Sequence, residues 1–267
     1  TPFEKAATRG VSVEFEQGMI TGIIGHTGSG KSTMAQMMNG LLRPSEGDVY
    51  VMGRNIWAEP KKIKEIRFTA GLVFQYPEHQ LFEETVRADI GFGPKNMGLS
   101  EEEIDSRVRE AAGFVGIDEE LFDRSPFGLS GGQKRRVAIA GVMAMRPQIL
   151  ILDEPAAGLD PRGRDEIFRR ICEYKKSTSS TVIMISHSME DMAKYCDRLL
   201  VMNKGKPYLY GTPAEIFSDA EKIESVGLTV PQVTRLMLEL SRRGYDVDTS
   251  VYTAEGAKAE IERLLGR

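Results

Sequence analysis

The stretch that decides the fold is "GMITGIIGHTGSGKSTMAQMMNGLL", residues 18–42. Its first eight residues (18–25) are nearly all apolar, the pattern of a strand buried on both faces. The run that follows, Gly25-His26-Thr27-Gly28-Ser29-Gly30-Lys31-Ser32-Thr33, has the spacing G-x-x-x-x-G-K-S. "KSTMAQMMNGLL" then reads as a helix. Strand, glycine-rich turn and helix in that order make a phosphate-binding loop. Gly25, Gly28 and Gly30 let backbone N–H groups converge on phosphate oxygens, and the helix start adds its dipole. Lys31 supplies a point charge to the β- and γ-phosphates, and Ser32 a hydroxyl to Mg²⁺. His26 reads as a variable loop position.

Outward from this loop, "VSVEFE" (11–16) alternates Val11, Val13 and Phe15 with polar residues and predicts a strand. "QILILDEP" (148–155) and "STVIMISH" (180–187) predict two more buried strands, and "PRGRDEIFRRICEYKK" between them has helical spacing at Ile167, Ile171 and Tyr174. Strands alternating with helices imply an α/β fold with a mostly parallel sheet covered on both sides. Residues 76–146 read as an all-helical insertion. There Ser100 and Glu103 form a capping box ahead of Ile104, Val108, Ala111 and Val115, and a second helix starts near Gly131 and runs into the apolar "VAIAGVMAM". After residue 218, Val233, Leu236, Met237 and Leu240 mark one short amphipathic helix, and Ala257, Ile261, Leu264 and Leu265 another. The expected division is a nucleotide-binding core (1–75 and 147–217), a helical subdomain (76–146) and a small C-terminal helical domain (218–267).

Composition narrows the function. A net charge of −4 and a pI near 5.6 over 267 residues leave no strongly basic face, so nucleic acid is not an expected partner. Lys134-Arg135-Arg136 reads as a solvated helix face. Cys172 and Cys196 have no metal-type spacing and read as reduced thiols. No apolar run approaches the ~20 residues of a membrane span, and no signal peptide is visible. "TPFEKAA" reads as a start within a longer protein.

Several polar residues complete the phosphate chemistry. Asp153 ends a hydrophobic strand and is placed to hold Mg²⁺; Glu154 follows and is placed to deprotonate an attacking water. His187, at the end of the next apolar strand, is placed for the γ-phosphate or that water. Gln75, after "AGLVF", is a further ligand for Mg²⁺ or water, whereas His79 reads as a surface position. A second glycine element stands in "LSGGQKRR" (129–136). Ser130 caps a helix there, and Gly131, Gly132 and Gln133 open its first turn, leaving N–H groups exposed. One chain cannot readily wrap both elements around one phosphate. A head-to-tail pair can, with the Ser130 element of one subunit closing over the phosphate loop of the other.

These residues, in this order, resemble the ABC-type ATPases. GHTGSGKST is similar to their Walker A, Gln75 to the Q-loop, LSGGQ to the signature, ILILDE to Walker B, "GLD" with Asp160 to the D-loop, and His187 to the switch histidine. The resemblance implies a P-loop NTPase core with a helical signature subdomain, and ATP hydrolysis with Mg²⁺ driving dimer closure and opening. "QYPEHQLFEETVRADIGFGPKNMGLSEEEI" and "DRSPFGLSGGQKRRVAIAGVMAM" resemble the ATPases of energy-coupling factor (ECF) transporters, in particular the second of their two types. That implies a second ATPase subunit (a paralogue or a second copy), a transmembrane scaffold and a substrate-binding membrane subunit. It also implies a peripheral place on the cytoplasmic face of the cell membrane, and uptake of a vitamin or metal ion. Two departures stand out: the upstream strand that carries the family's adenine-stacking aromatic is not seen, leaving Phe3 as a substitute candidate, and Ala156 replaces the usual Thr or Ser. "YPEHQLFEETVRADI" mixes apolar Tyr76, Leu81, Phe82 and Val86 with acidic Glu78, Glu83 and Glu84, which suits a groove for basic helices of the scaffold. Two other readings are weaker. DNA-type relatives need a long coiled coil, for which Lys31 and Asp153 leave no room, and ribosome-type relatives carry two cassettes. A regulatory module that does not turn over is opposed by Glu154 and His187.

Overall fold

The computed structural model describes residues 6–266. Among them the strands are β1 (Ile20–Ile24), β2 (Tyr50–Val51), β3 (Arg54–Asn55), β4 (Ala70–Val73), β5 (Ile149–Asp153), β6 (Thr181–Ile185), β7 (Arg198–Asn203) and β8 (Lys206–Gly211). The helices are α1 (Lys31–Met38), α2 (Ile63–Thr69), α3 (Val86–Asn96), α4 (Glu101–Val115), α5 (Gly131–Met143), α6 (Pro161–Thr178) and α7 (Met189–Tyr195). They continue as α8 (Pro213–Phe217), α9 (Ala220–Ser225), α10 (Gln232–Arg242) and α11 (Ala254–Leu264). The chain divides into two compact units, one of residues 16–18 and 32–184, the other of 6–15, 19–31 and 185–266. Residues 76–146 share a unit with β4 and β5, and 218–266 share one with β1, β7 and β8.

In the unit of residues 32–184, β5 lies between β4 and β6. β4 and β5 run parallel, with Ala70 opposite Ile149 and Val73 opposite Leu152. Leu150, Ile151 and Leu152 are fully buried, as a strand covered on both faces demands. The helices α3, α4 and α5 pack on one another through Val86, Ile90, Val108, Val115, Val137 and Ile139, all fully buried. α3 and α5 approach closely: a Cβ on Gly93 would lie 3.4 Å from the Gly141 carbonyl. Ser100 caps α4 by accepting from the Glu103 N–H at 3.3 Å. The reciprocal half of the expected box is not seen, and Glu103 instead receives Arg107 Nε at 2.7 Å. Complete boxes form at Ser130–Gln133 and Thr212–Glu215.

In the other unit, β1 pairs in parallel with β7, and β7 turns back into β8. The turn residues Lys204 (φ 48°) and Gly205 (φ 82°) are both left-handed, as a two-residue hairpin turn requires. Residues 11–16 do not form the expected strand. The alternation survives in burial, with Val11, Val13 and Phe15 more covered than Ser12 and Glu14, but a strand also needs a hydrogen-bonded neighbour. In α10, Thr234 and Met237 are buried while Leu236 is 45% exposed; beyond α11, Leu265 is 63% exposed.

Candidate nucleotide site

The phosphate loop leaves β1 at Ile24 and enters α1 at Lys31. Lys31 is buried, and its Nζ donates to the carbonyls of Gly25 at 2.7 Å and His26 at 3.1 Å. The ammonium thus lies along the loop's inner edge, where phosphate oxygens would replace weaker carbonyl partners. The β7–β8 turn braces the loop from behind. Gly205 N–H donates to the Ser29 carbonyl at 3.1 Å, and the His26 ring lies 3.3 Å from Asn203 Oδ1 and 3.4 Å from the Lys204 N–H. A Cβ on Gly25 would collide with the Met202 carbonyl, and one on Gly30 would meet the Ala7 carbonyl at 2.5 Å. Sequence reasoning missed the Asn203–Gly205 brace. "NKGK" signals a tight turn, but nothing in it says what the turn touches. Thr27 and Gly28 are exposed at the crown and Ser29 is buried; Ser32 and Thr33 open α1. Phe3 lies outside the described residues.

Asp153 is the last residue of β5 and Glu154 the first beyond it; both are buried. Glu154 holds φ 54°, a left-handed backbone rare for a residue with a side chain. The turn closes with Ala157 N–H on the Glu154 carbonyl at 3.2 Å, and Ala156 is buried inside it. Asp160 caps α6, accepting from the Gly163 N–H at 2.8 Å. Gln75 is exposed in the bend after β4, and His79 is exposed against Tyr76. In the other unit, His187 is exposed two residues beyond β6, just before Ser188 caps α7.

Ser130 accepts from the Gln133 N–H at 3.3 Å and Gln133 Oε1 accepts from the Ser130 N–H at 3.0 Å. This fixes the first turn of α5. A Cβ on Gly131 would meet open space, and one on Gly132 would lie 3.7 Å from Leu159, next to the Asp160 turn. A 380 Å³ hollow opens here, lined by Asp118, Ser130, Gly132, Gln133 and Arg136 among others.

The basic run behind this turn is not a solvated face. Arg135 is 5% exposed and its Nη2 donates to both Glu78 oxygens at 3.3 and 3.2 Å. Arg136 donates to Glu166 at 2.9 Å, and Glu166 also receives Arg170 at 2.7 Å. The Arg170 hydrogen bond above all, with Arg136 beside it, holds the Glu166 carboxyl below the usual range. A sequence run of three cations cannot say which of them turns inward. The segment after Gln75 also departs from expectation: Leu81 and Val86 are core, Glu78 is taken by Arg135, and Tyr76, Phe82 and Phe92 stay exposed. Phe82 and Phe92 meet edge to face at 4.7 Å.

Residues 8–157 match the ABC transporter family. The chain belongs to it. It is 54% identical over 99% of its length to the energy-coupling factor transporter ATP-binding protein EcfA2 of Caldanaerobacter subterraneus subsp. tengcongensis, covering 93% of that protein. It is 52% identical to the protein of the same name from Clostridium perfringens, again over 99% of this chain and 93% of that one. Among solved structures it resembles cbiO1 from Clostridium perfringens, part of the ABC transporter complex cbiONQ, at 43% identity and a TM-score of 0.74, covering 87% of this chain and 92% of that one. It also resembles the dimeric ATP-binding cassette MJ0796 in a post-hydrolysis state bound to ADP and Pi, at 26% identity and a TM-score of 0.71, covering 78% of this chain and 90% of that one. Among the described residues no helix is long and apolar enough to cross a membrane, and no three His, Cys, Asp or Glu side chains gather as a metal site. An ATPase of this family does not need such a cluster, since Mg²⁺ is usually held by one or two protein groups plus water and phosphate oxygens.

Proposed function

We propose that this chain is the ATP-hydrolysing subunit that energises an ECF-type importer. The observation that carries it is near-complete alignment, at about half identity, with ECF ATP-binding proteins, in a chain whose phosphate-loop lysine already lies against its own loop carbonyls. Gly25 to Thr33 bind the ATP phosphates through backbone N–H groups and Lys31. Ser32, Asp153 and Gln75 would hold Mg²⁺, which would neutralise phosphate charge. Glu154 takes the proton of the attacking water, its carboxylate aimed by the left-handed backbone. His187 hydrogen-bonds the γ-phosphate or that water. Ser130, Gly131, Gly132 and Gln133 offer the start of α5 to the ATP of a second subunit, and Asp160 lines the same junction. The second subunit is a paralogue or another copy.

The cargo is a vitamin or metal ion captured by a separate membrane subunit, and a transmembrane scaffold passes it on. Tyr76, Phe82 and Phe92, exposed beside Glu83 and Glu84, form the apolar and acidic face that receives the scaffold, which puts the subunit on the cytoplasmic face of the membrane. The division into a core (1–75, 147–217), a signature subdomain (76–146) and a C-terminal domain (218–267) belongs to the same reading. The test is twofold. The purified chain with Mg²⁺ and ATP releases phosphate, and EDTA stops it. Expressed in its own host, it co-purifies from membranes with a second ATPase and two integral membrane proteins. Hydrolysis without membrane partners would leave an ATPase but refute the transporter role; no hydrolysis in either state would refute both.

A further inference from the structure

We propose that Arg135 and Glu78 are a positioning pair that links the Gln75 loop to the signature turn, so that nucleotide bound at one composite site is felt at the other. The inference rests on the function proposed above. Glu78 stands three residues after Gln75, in the short Pro77–Gln80 turn whose Pro77 is buried. Arg135 stands two residues after Gln133, one turn into α5. The side chains are 22% and 6% exposed, and Arg135 Nε is buried without a hydrogen-bond partner. Such a cation is expensive to keep. A buried ion pair is often no more stable than two apolar residues of the same size, whereas removing one partner strands a charge. Stability alone therefore does not explain Arg135 at a position flanked by the buried core of α5.

Its placement does. Gln75 serves the chain's own nucleotide, and Ser130 to Gln133 serve the partner's. The pair is a direct ionic contact between the two segments, and the turn of Glu78 packs on α5. Displacing Gln75 by ligand moves Glu78, Glu78 draws on Arg135, and the first turn of α5 follows as a body because its capping box is closed. That is a contiguous path of side chains between the two segments, of the kind through which coupling travels. Lys134 and Arg136, on other faces of the same turn, do not reach Glu78; Arg136 is bonded to Glu166.

The test replaces both members together, Glu78→Met with Arg135→Met, so that no charge is stranded. Hydrogen exchange is followed in the full chain with and without a non-hydrolysable ATP analogue and Mg²⁺. In the native chain the analogue protects residues 25–33 and alters exchange at 76–80 and 129–134. In the double variant protection at 25–33 and the change at 76–80 persist, and the change at 129–134 is lost. Turnover of the assembled ATPase falls about tenfold with KM within about twofold, in the usual range of a coupling loss. A response at 129–134 undiminished in the variant overturns the link while leaving the nucleotide site intact. Absence of protection at 25–33 in the native chain overturns the underlying function and the link with it. Should the Met pair fail to fold, Glu78→Leu with Arg135→Leu carries the same expectation and the same refutation.

Discussion

Two glycine-rich elements in this chain look alike as sequence and differ as structure. In the phosphate loop the glycines answer to the chain itself. Gly25 (φ 157°) faces the Met202 carbonyl and Gly30 (φ 98°) faces the Ala7 carbonyl, both too close for a Cβ. In the signature turn nothing of the kind holds. Gly131 and Gly132 are helical, one facing open space and the other 3.7 Å from Leu159. The first element is glycine because it must fold; the second is glycine although its own fold would accept alanine. On the function proposed above, the demand on Gly131 and Gly132 is that of a phosphate held by a second subunit and approaching from outside.

The sharpest break of that comparison is in turnover. Glu154→Gln keeps ATP binding and loses hydrolysis by about a hundredfold or more, read as phosphate release against nucleotide affinity. Near-native turnover would remove Glu154 from the reaction. The glycine contrast itself is read by melting. Gly25→Ala, forced against the Met202 carbonyl, destabilises the nucleotide-free chain by about 2 kcal/mol or more. Gly131→Ala changes stability by about 0.5 kcal/mol or less while cutting turnover about tenfold. Equal destabilisation by the two would erase the distinction.

A smaller effect tests how the signature turn is held from behind. Glu166, paired with Arg136 and Arg170, has a lowered carboxyl pKa. A carboxylate ionised more easily in the folded chain stabilises it at neutral pH and loses that contribution as the pH falls below the ordinary value of about 4.3. Glu166→Gln therefore costs about 1 kcal/mol or less at pH 7, the pair being partly exposed. The gap to the native chain narrows toward pH 3 in a series of melts. A gap that widens with acid would reverse the sign.

How much of this was legible follows from where each constraint lies. β1, β5 and β6 announce themselves because a strand buried on both faces is an unbroken apolar run, and α6 shows its Ile167, Ile171 and Tyr174 stripe. Val11 to Phe15 has the right alternation but, among the described residues, no neighbouring strand to hydrogen-bond, and alternation encodes only a face. The phosphate loop is legible since strand, turn and helix are contiguous. Arg135 was misread as a solvated cation because its partner, Glu78, stands 57 positions away, and only the packing of α5 brings them together. The brace of Asn203 to Gly205 under the loop is hidden for the same reason: Lys204 and His26 are separated by 178 positions.

The central claim, that the signature turn serves another subunit's ATP, is tested most directly by equilibrium ATP binding to the Ser130→Arg chain. The substitution places a bulky side chain where the partner's phosphate would sit and leaves Gly25 to Lys31 untouched. The predicted result is an affinity within about twofold of the native chain, with turnover abolished, while Lys31→Ala loses about a hundredfold in affinity, as removal of a charge-assisted phosphate contact entails. Where the second subunit is another copy of this chain and one intact site turns over alone, mixing Ser130→Arg with Lys31→Ala chains then restores activity, because both lesions fall in one composite site and spare the other. If Ser130→Arg weakens ATP binding by the isolated chain as severely as Lys31→Ala does, the signature turn serves its own phosphate loop, and the account is wrong.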